Sequence, residues 1–196
     1  ALVFIPDPYG PWQNHPFQPL RNEPGFDGEV VYALDRDPAG DFAVLDAYPN
    51  RTTYRYGYHG EWTPNPDDYV VPTLEPLAVR SGDSLAGEST VAIPNRIRRA
   101  TVRLETDADA TSYELTTPTR NVSVDWTLTP DSARLDSVRT ADRSVAINAT
   151  DAPAIGVDDA DEVRLLITLV DPEGSTFTYR QEAAVRTSDG TVEAIW

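Results

Sequence analysis

The sequence predicts an all-β chain, an immunoglobulin-like β-sandwich with a smaller β-rich N-terminal region and an extended proline-rich N-terminal arm. Three observations carry that expectation. From Asn121 to Thr129 the residues alternate without a fault, Val122, Val124, Trp126 and Leu128 on one face against Ser123, Asp125, Thr127 and Thr129 on the other. Ala100, Val102 and Leu104 alternate with Thr101, Arg103 and Glu105 in the same way, so two half-buried strands ask for a covering layer. Turn residues then recur through the C-terminal half at the spacing of a sandwich.

Taken in order, residues 1–28 open with Ala-Leu-Val-Phe-Ile and continue through Pro6, Pro8, Pro11, Pro16, Pro19 and Pro24. Proline removes backbone donors and blocks helix and central strand, so this stretch reads as an arm. Leu2, Phe4, Trp12 and Phe17 would anchor it on its own sandwich or on a neighbour. The opening apolar run is far shorter than the ~20 residues a membrane span needs, and it reads as the tail of a removed signal or of an anchor lying upstream.

Residues 29–86 read as a small β-rich region with strands at 29–34, 42–47, 53–59, 69–71 and 77–79. The turns Asp37-Pro38-Ala39-Gly40 and Pro64-Asn65-Pro66-Asp67 separate them. In the third of these strands Tyr54, Tyr56 and Tyr58 share a face and Trp62 follows, an aromatic row suited to glycan or protein contact or to cross-strand packing. Ser81 to Gly87 reads as a connector. Residues 87–196 carry the sandwich, with Ser132–Thr140 the one stretch whose pattern admits a short helix.

The charge is as informative as the pattern. Thirty-two acidic residues face 16 basic ones for a net −16, every basic residue is Arg, and Cys is absent. At about 1 M salt the screening length falls to roughly 3 Å, and an acidic shell that repels itself in dilute buffer becomes tolerable. This Asp- and Arg-rich, Lys- and Cys-free composition resembles proteins of extreme halophiles, most of all haloarchaea, and the chain resembles their exported β-rich cell-surface and filament proteins. Pilins and archaellins of those organisms open with a long apolar helix, which this sequence lacks unless it lies before Ala1. The same charge disfavours nucleic-acid binding and anionic membranes, since both need clustered cations.

Three Asn-x-Ser/Thr triplets, at Asn50, Asn121 and Asn148, exceed the roughly one that chance supplies and suit an exported protein bearing N-linked glycans. Catalytic signals are poor. The only histidines are His15 and His59, no Gly-x-Ser-x-Gly elbow occurs, and a phosphate loop is impossible without Lys. No catalytic residue and no cofactor is expected. Asp107 to Thr111 begins like a calcium loop but places Ser112 and Pro118 where Gly and Glu are required. Asp158, Asp159 and Asp161 form a denser oxygen cluster that suits a solvated loop better than a metal.

The expectation is an extracellular structural subunit of a filament, envelope layer or virion surface, self-assembling or joined to neighbouring surface proteins. The alternative is a binding module that uses the tyrosine face, with a carbohydrate-active enzyme a distant third.

Overall fold

A computed structural model describes residues 1–6, 20–59, 71–116, 118, 120–148 and 150–196. The chain is all-β, with one short helix among the described residues, and divides into two compact units, Ala1–Ala78 and Val79–Trp196.

The first unit corrects the arm. Strand β1 (Leu2–Pro6) lies at the centre of a four-stranded sheet, flanked by β2 (Val31–Asp35) and β3 (Thr53–His59), both parallel to it. Strand β4 (Val71–Pro76) closes the far side antiparallel to β3. A strand covered on both faces reads as a continuous apolar run, which is why Leu2-Val3-Phe4-Ile5 shows no alternation. Leu2 and Phe4 point to one face, where they pack with Val31. Val3 and Ile5 point to the other, where they pack with Tyr56. Leu2 and Phe4 are therefore core residues of their own unit, not anchors of an assembly arm; Trp12, Phe17 and most of the prolines lie outside the described residues.

The strand expected at 42–47 is instead part of helix α1 (Pro38–Ala47). Asp37 caps it, its Oδ1 accepting the Gly40 N–H at 2.8 Å, and Pro38 occupies the first turn, where its missing donor costs nothing. Phe42 is buried, and Val44, Leu45 and Tyr48 lie against the Leu2 and Phe4 face. Leu20, from the connection between β1 and β2, packs on the opposite face. Asn22 then occupies the β2 edge, accepting the Tyr32 N–H and donating to the Tyr32 carbonyl, each at 2.8 Å. A side chain stands there in place of a further strand.

The second unit is the expected sandwich. One sheet has the order β11-β10-β9-β6, built from β6 (Leu85–Ala92), β9 (Asn121–Leu128), β10 (Ser132–Thr140) and β11 (Ser144–Ala146), with β12 (Ile155–Gly156) also on β10. The other has the order β5-β15-β14-β13-β7-β8. It contains β5 (Val79–Gly82), β7 (Arg99–Glu105), β8 (Ala110–Thr116), β13 (Asp161–Val170), β14 (Thr176–Ser188) and β15 (Thr191–Ile195). Every pairing in both sheets is antiparallel. Because β5 pairs with β15 and β6 with β9, residues 79–86, read as strand end and connector, belong to the sandwich.

The alternating residues meet in one core: Val122, Val124, Trp126 and Leu128 from the first sheet against Val102, Leu104, Leu165, Ile167 and Val185 from the second. Trp126 stands opposite Gly87 in the ladder, and a Cβ at Gly87 would lie 2.3 Å from the indole. Glycine is required there by close approach. Ser132–Thr140 is strand β10, not helix, and its register slips between Leu135 and Ser137. That bulge breaks the period-two pattern and accounts for the ambiguous reading.

Candidate functional site

Ion pairs crowd the outer face of the six-stranded sheet. Arg164 on β13 sits between Asp107 (2.7 Å), Glu162 (3.2 Å), Glu105 and Glu182 (both 3.9 Å), and Arg180 on β14 also meets Glu162 and Glu182. Hydrogen bonding to Glu162, and then to Asp107, raises the guanidinium's pKa further, so Arg164 is a fixed cation inside an acidic ring. On the other sheet Arg139 joins Asp125 to Glu88, and Arg134 meets Asp136 at 2.7 Å.

The sheets end at different places, and the mismatch exposes apolar surface. Strand β6 is a sheet edge, paired only with β9 among the described strands. Its Ser89 hydroxyl bonds Gln181, and the Tyr179 hydroxyl donates to the Ala92 carbonyl at 3.4 Å, so β6 lies over β14. Beyond that cover Phe177 stands 58% exposed, its ring edge-on to Tyr179 at 4.9 Å. The outward residues of β6, Ala86, Glu88, Thr90 and Ala92, are exposed. An accessible strand edge beside an aromatic ledge offers backbone hydrogen bonds and apolar contact together.

Next to it lies a recess of about 150 Å³ lined by Arg80, Gly87, Glu88, Gln181 and Trp196. Arg80 covers the Trp196 ring at 5.9 Å, and Trp196 meets Trp126 edge-on at 5.1 Å. Both indole N–H groups lack a protein acceptor. Donors, a carboxylate and an indole wall around one hollow suit a small hydroxylated ligand. Three separate strands and Trp196, just past β15, contribute these residues, so no local motif announces them.

The tyrosine face is largely absorbed by packing. Tyr56 is 8% exposed against Val3 and Ile5, and Tyr54 and Tyr32 are half-buried beside it. Burial removes Tyr56 from the candidate binding face; the side chain of Tyr58 and all of Trp62 lie outside the described residues. Burial also pushes the Tyr56 hydroxyl's pKa up.

A second polar group in the first unit was not anticipated. Asp41, in the first turns of α1, is 5% exposed and one of its oxygens has no hydrogen-bond partner. Burial, then the charge of Asp35 and a hydrogen bond that protonated Asp41 donates to it, push its pKa up to about 7. Arg55 on β3 holds Asp35 at 3.0 Å. Asp41 therefore keeps its proton up to near neutrality, facing the Asp35 carboxylate that Arg55 pairs. The contact needs α1, which the sequence reading missed.

The acidic cluster is used locally. The Asp161 carboxylate accepts from the Glu162 N–H at 2.8 Å, and Asp159 accepts from the Thr187 N–H at 3.0 Å. Asp158 offers its own N–H to Asp161 at 3.4 Å. No group of three or more His, Cys, Asp or Glu among the described residues is placed to hold a metal. Among the same residues no helix is long and apolar enough to cross a membrane.

Of the three glycosylation triplets, Asn50 and Asn148 sit in exposed positions between elements, whereas Asn121 is half-buried as the first residue of β9. A family model matches residues 1–183, spanning all of the first unit and most of the second; its description is a domain of unknown function, DUF7846. No curated protein and no solved structure matches the chain.

Proposed function

The chain belongs to the DUF7846 family, and from that premise we propose that it is a non-catalytic extracellular surface module of a high-salt organism. In this reading it joins neighbouring surface proteins, or further copies of itself, in a filament, envelope layer or virion surface. The observation that carries the reading is the open β6 edge beside Phe177 and Tyr179. Assembly passes through the sandwich edge, where a neighbour's strand would pair with β6, extend its five-stranded sheet and cover Phe177. The net charge of −16 opposes such contact in dilute buffer and permits it where the screening length is short.

Light scattering in about 3 M NaCl tests the proposal. Wild type is expected to form large or open-ended particles, and the double variant Ala86→Arg, Phe177→Arg to remain monomeric with an unchanged circular dichroism spectrum. Monomeric wild type across the accessible concentration range would remove the reading.

The recess favours a second reading, a glycan-binding module. Its Glu88, Gln181 and Arg80 supply acceptors and donors around the Trp196 ring. Quenching of tryptophan fluorescence by soluble surface polysaccharide, lost in Gln181→Ala, would support it.

A further inference from the structure

Asn148 borders a groove of about 420 Å³ in the sandwich, and two independent features meet there. One is the Asn148-Ala149-Thr150 triplet. The other is the groove itself, with Leu135, Ile147 and Ala152 as its apolar wall and the Arg134–Asp136 pair as its polar one. Its volume falls within the ~300–1,000 Å³ of small-ligand sites.

The local geometry selects Asn148 from the three triplets. Its Oδ1 accepts the Thr150 N–H at 2.8 Å and the Asp151 N–H at 3.1 Å, a turn that fixes the side chain by its oxygen. The Nδ2 amide, the atom that carries sugar in an N-linked glycan, takes no part in that turn, and Asn148 is exposed. Asn121 is the opposite case. It opens β9 in register with Ala92, and the Ser123 hydroxyl of its triplet shares a 2.7 Å hydrogen bond with Thr90 on the neighbouring strand. Ser123 is only 9% exposed, so that triplet is closed once the chain folds. Asn50 is exposed in a turn, so the contrast that geometry draws is between Asn148 and Asn121.

We propose that Asn148 is an N-glycosylation site and that the adjoining groove seats the first sugars of its own glycan. In the transfer, Nδ2 forms a bond to C1 of a sugar carried on a polyprenyl phosphate or pyrophosphate. The C1–O bond to phosphorus-bound oxygen breaks, the lipid phosphate leaves with the electron pair, and the amide loses one proton. The apolar face of a pyranose then lies on Ile147 and Ala152. Its hydroxyls meet Asp136 and the terminal amino groups of Arg134, which uses its Nε on Asp136 and has no other partner among the described residues.

The inference rests on the extracellular reading for its biological setting, and the experiment separates the two. Purified full-length chain, folded in high salt, is incubated with haloarchaeal membrane extract containing oligosaccharyltransferase and lipid-linked oligosaccharide, then mapped by peptide mass spectrometry. The expected result is a sugar mass on the Asn148 peptide, none on the Asn121 peptide, and loss of the first in Asn148→Gln. Amide exchange at Ile147, whose N–H bonds the Asp136 carbonyl at 2.8 Å, should slow about threefold or more in the glycoform relative to Asn148→Gln. An unmodified Asn148 overturns the site. A modified Asn148 with unchanged Ile147 exchange overturns the groove as its seat. Protease shaving of intact host cells reports location independently, so an intracellular chain would remove the surface reading while leaving the in vitro result to judge Asn148.

Discussion

The two units bury their strands in different ways. In the sandwich the core strands hide one face: on β9, Val122, Val124, Trp126 and Leu128 are buried, while Asp125 and Thr127 on the other face meet ion-pair or hydrogen-bond partners. In the first unit β1 hides both faces, Leu2 and Phe4 under α1 and Val3 and Ile5 against Tyr56, and alternation vanishes. The difference teaches what periodicity measures: one-sided burial, not strand character as such.

The largest expected effects test that difference directly. Phe4→Ala should cost about 3–5 kcal/mol, the range for removing a buried aromatic ring, because Phe4 is 1% exposed at the centre of its sheet. Trp126→Ala should cost a similar amount. Hydrogen exchange distinguishes them. The first should lose protection within residues 1–78, and the second within 79–196, matching the separate cores. If Phe4→Ala left residues 1–78 protected, β1 would not be the centre of that unit.

A smaller effect concerns a group found only in the first unit. The pKa of Asp41 is raised to about 7 in the folded chain, above its unfolded value near 4. Between those values the folded state binds the extra proton, so this group's contribution is full below about pH 4 and is lost as pH rises through 7. Asp41→Asn keeps a donor toward Asp35 without the charge. It should therefore raise stability at pH 8 by about 1–2 kcal/mol and change it little at pH 4.5, read from thermal melts at fixed salt. An equal effect at both pH values would mean that Asp41 does not hold its proton to near neutrality.

Much of the sandwich was legible because its information is local. Asp171-Pro172-Glu173-Gly174 marks the β13–β14 hairpin, with Gly174 at φ 91°, and the alternating runs mark β7 and β9. Strand β10 was ambiguous because its bulge at Leu135/Ser137 shifts the pattern by one residue. In the first unit the proline series suggested an arm, although Leu2–Pro6 comes before most of it. Asp37-Pro38 was read as a turn, although Asp followed by Pro equally begins a helix. The glycosylation triplets were legible as short motifs, but only packing separates Asn121 from Asn148. The Trp196 recess and the Asp35–Asp41 pair depend on strands and a helix meeting across the chain, and no spacing encodes them.

The finest test compares the outer sandwich face with the interior. Arg164 is 20% exposed in its side chain and stands among Glu105, Asp107, Glu162 and Glu182. Arg164→Gln leaves Arg180 as the only arginine among the described residues in contact with Glu162 and Glu182, so like charges repel across the ladder. Partial exposure screens such pairs, and the expected loss is about 1 kcal/mol in dilute buffer. At about 3 M NaCl the screening length is below the 3–4 Å of these contacts, and most of that loss should disappear. The cavity left by Trp126→Ala has no such remedy, since apolar packing does not depend on screening. Paired melts in low and high salt should therefore rescue Arg164→Gln and leave Trp126→Ala impaired; equal rescue of both would show that salt acts through general stabilisation of the fold, and that the arginine ladder has no special part in it.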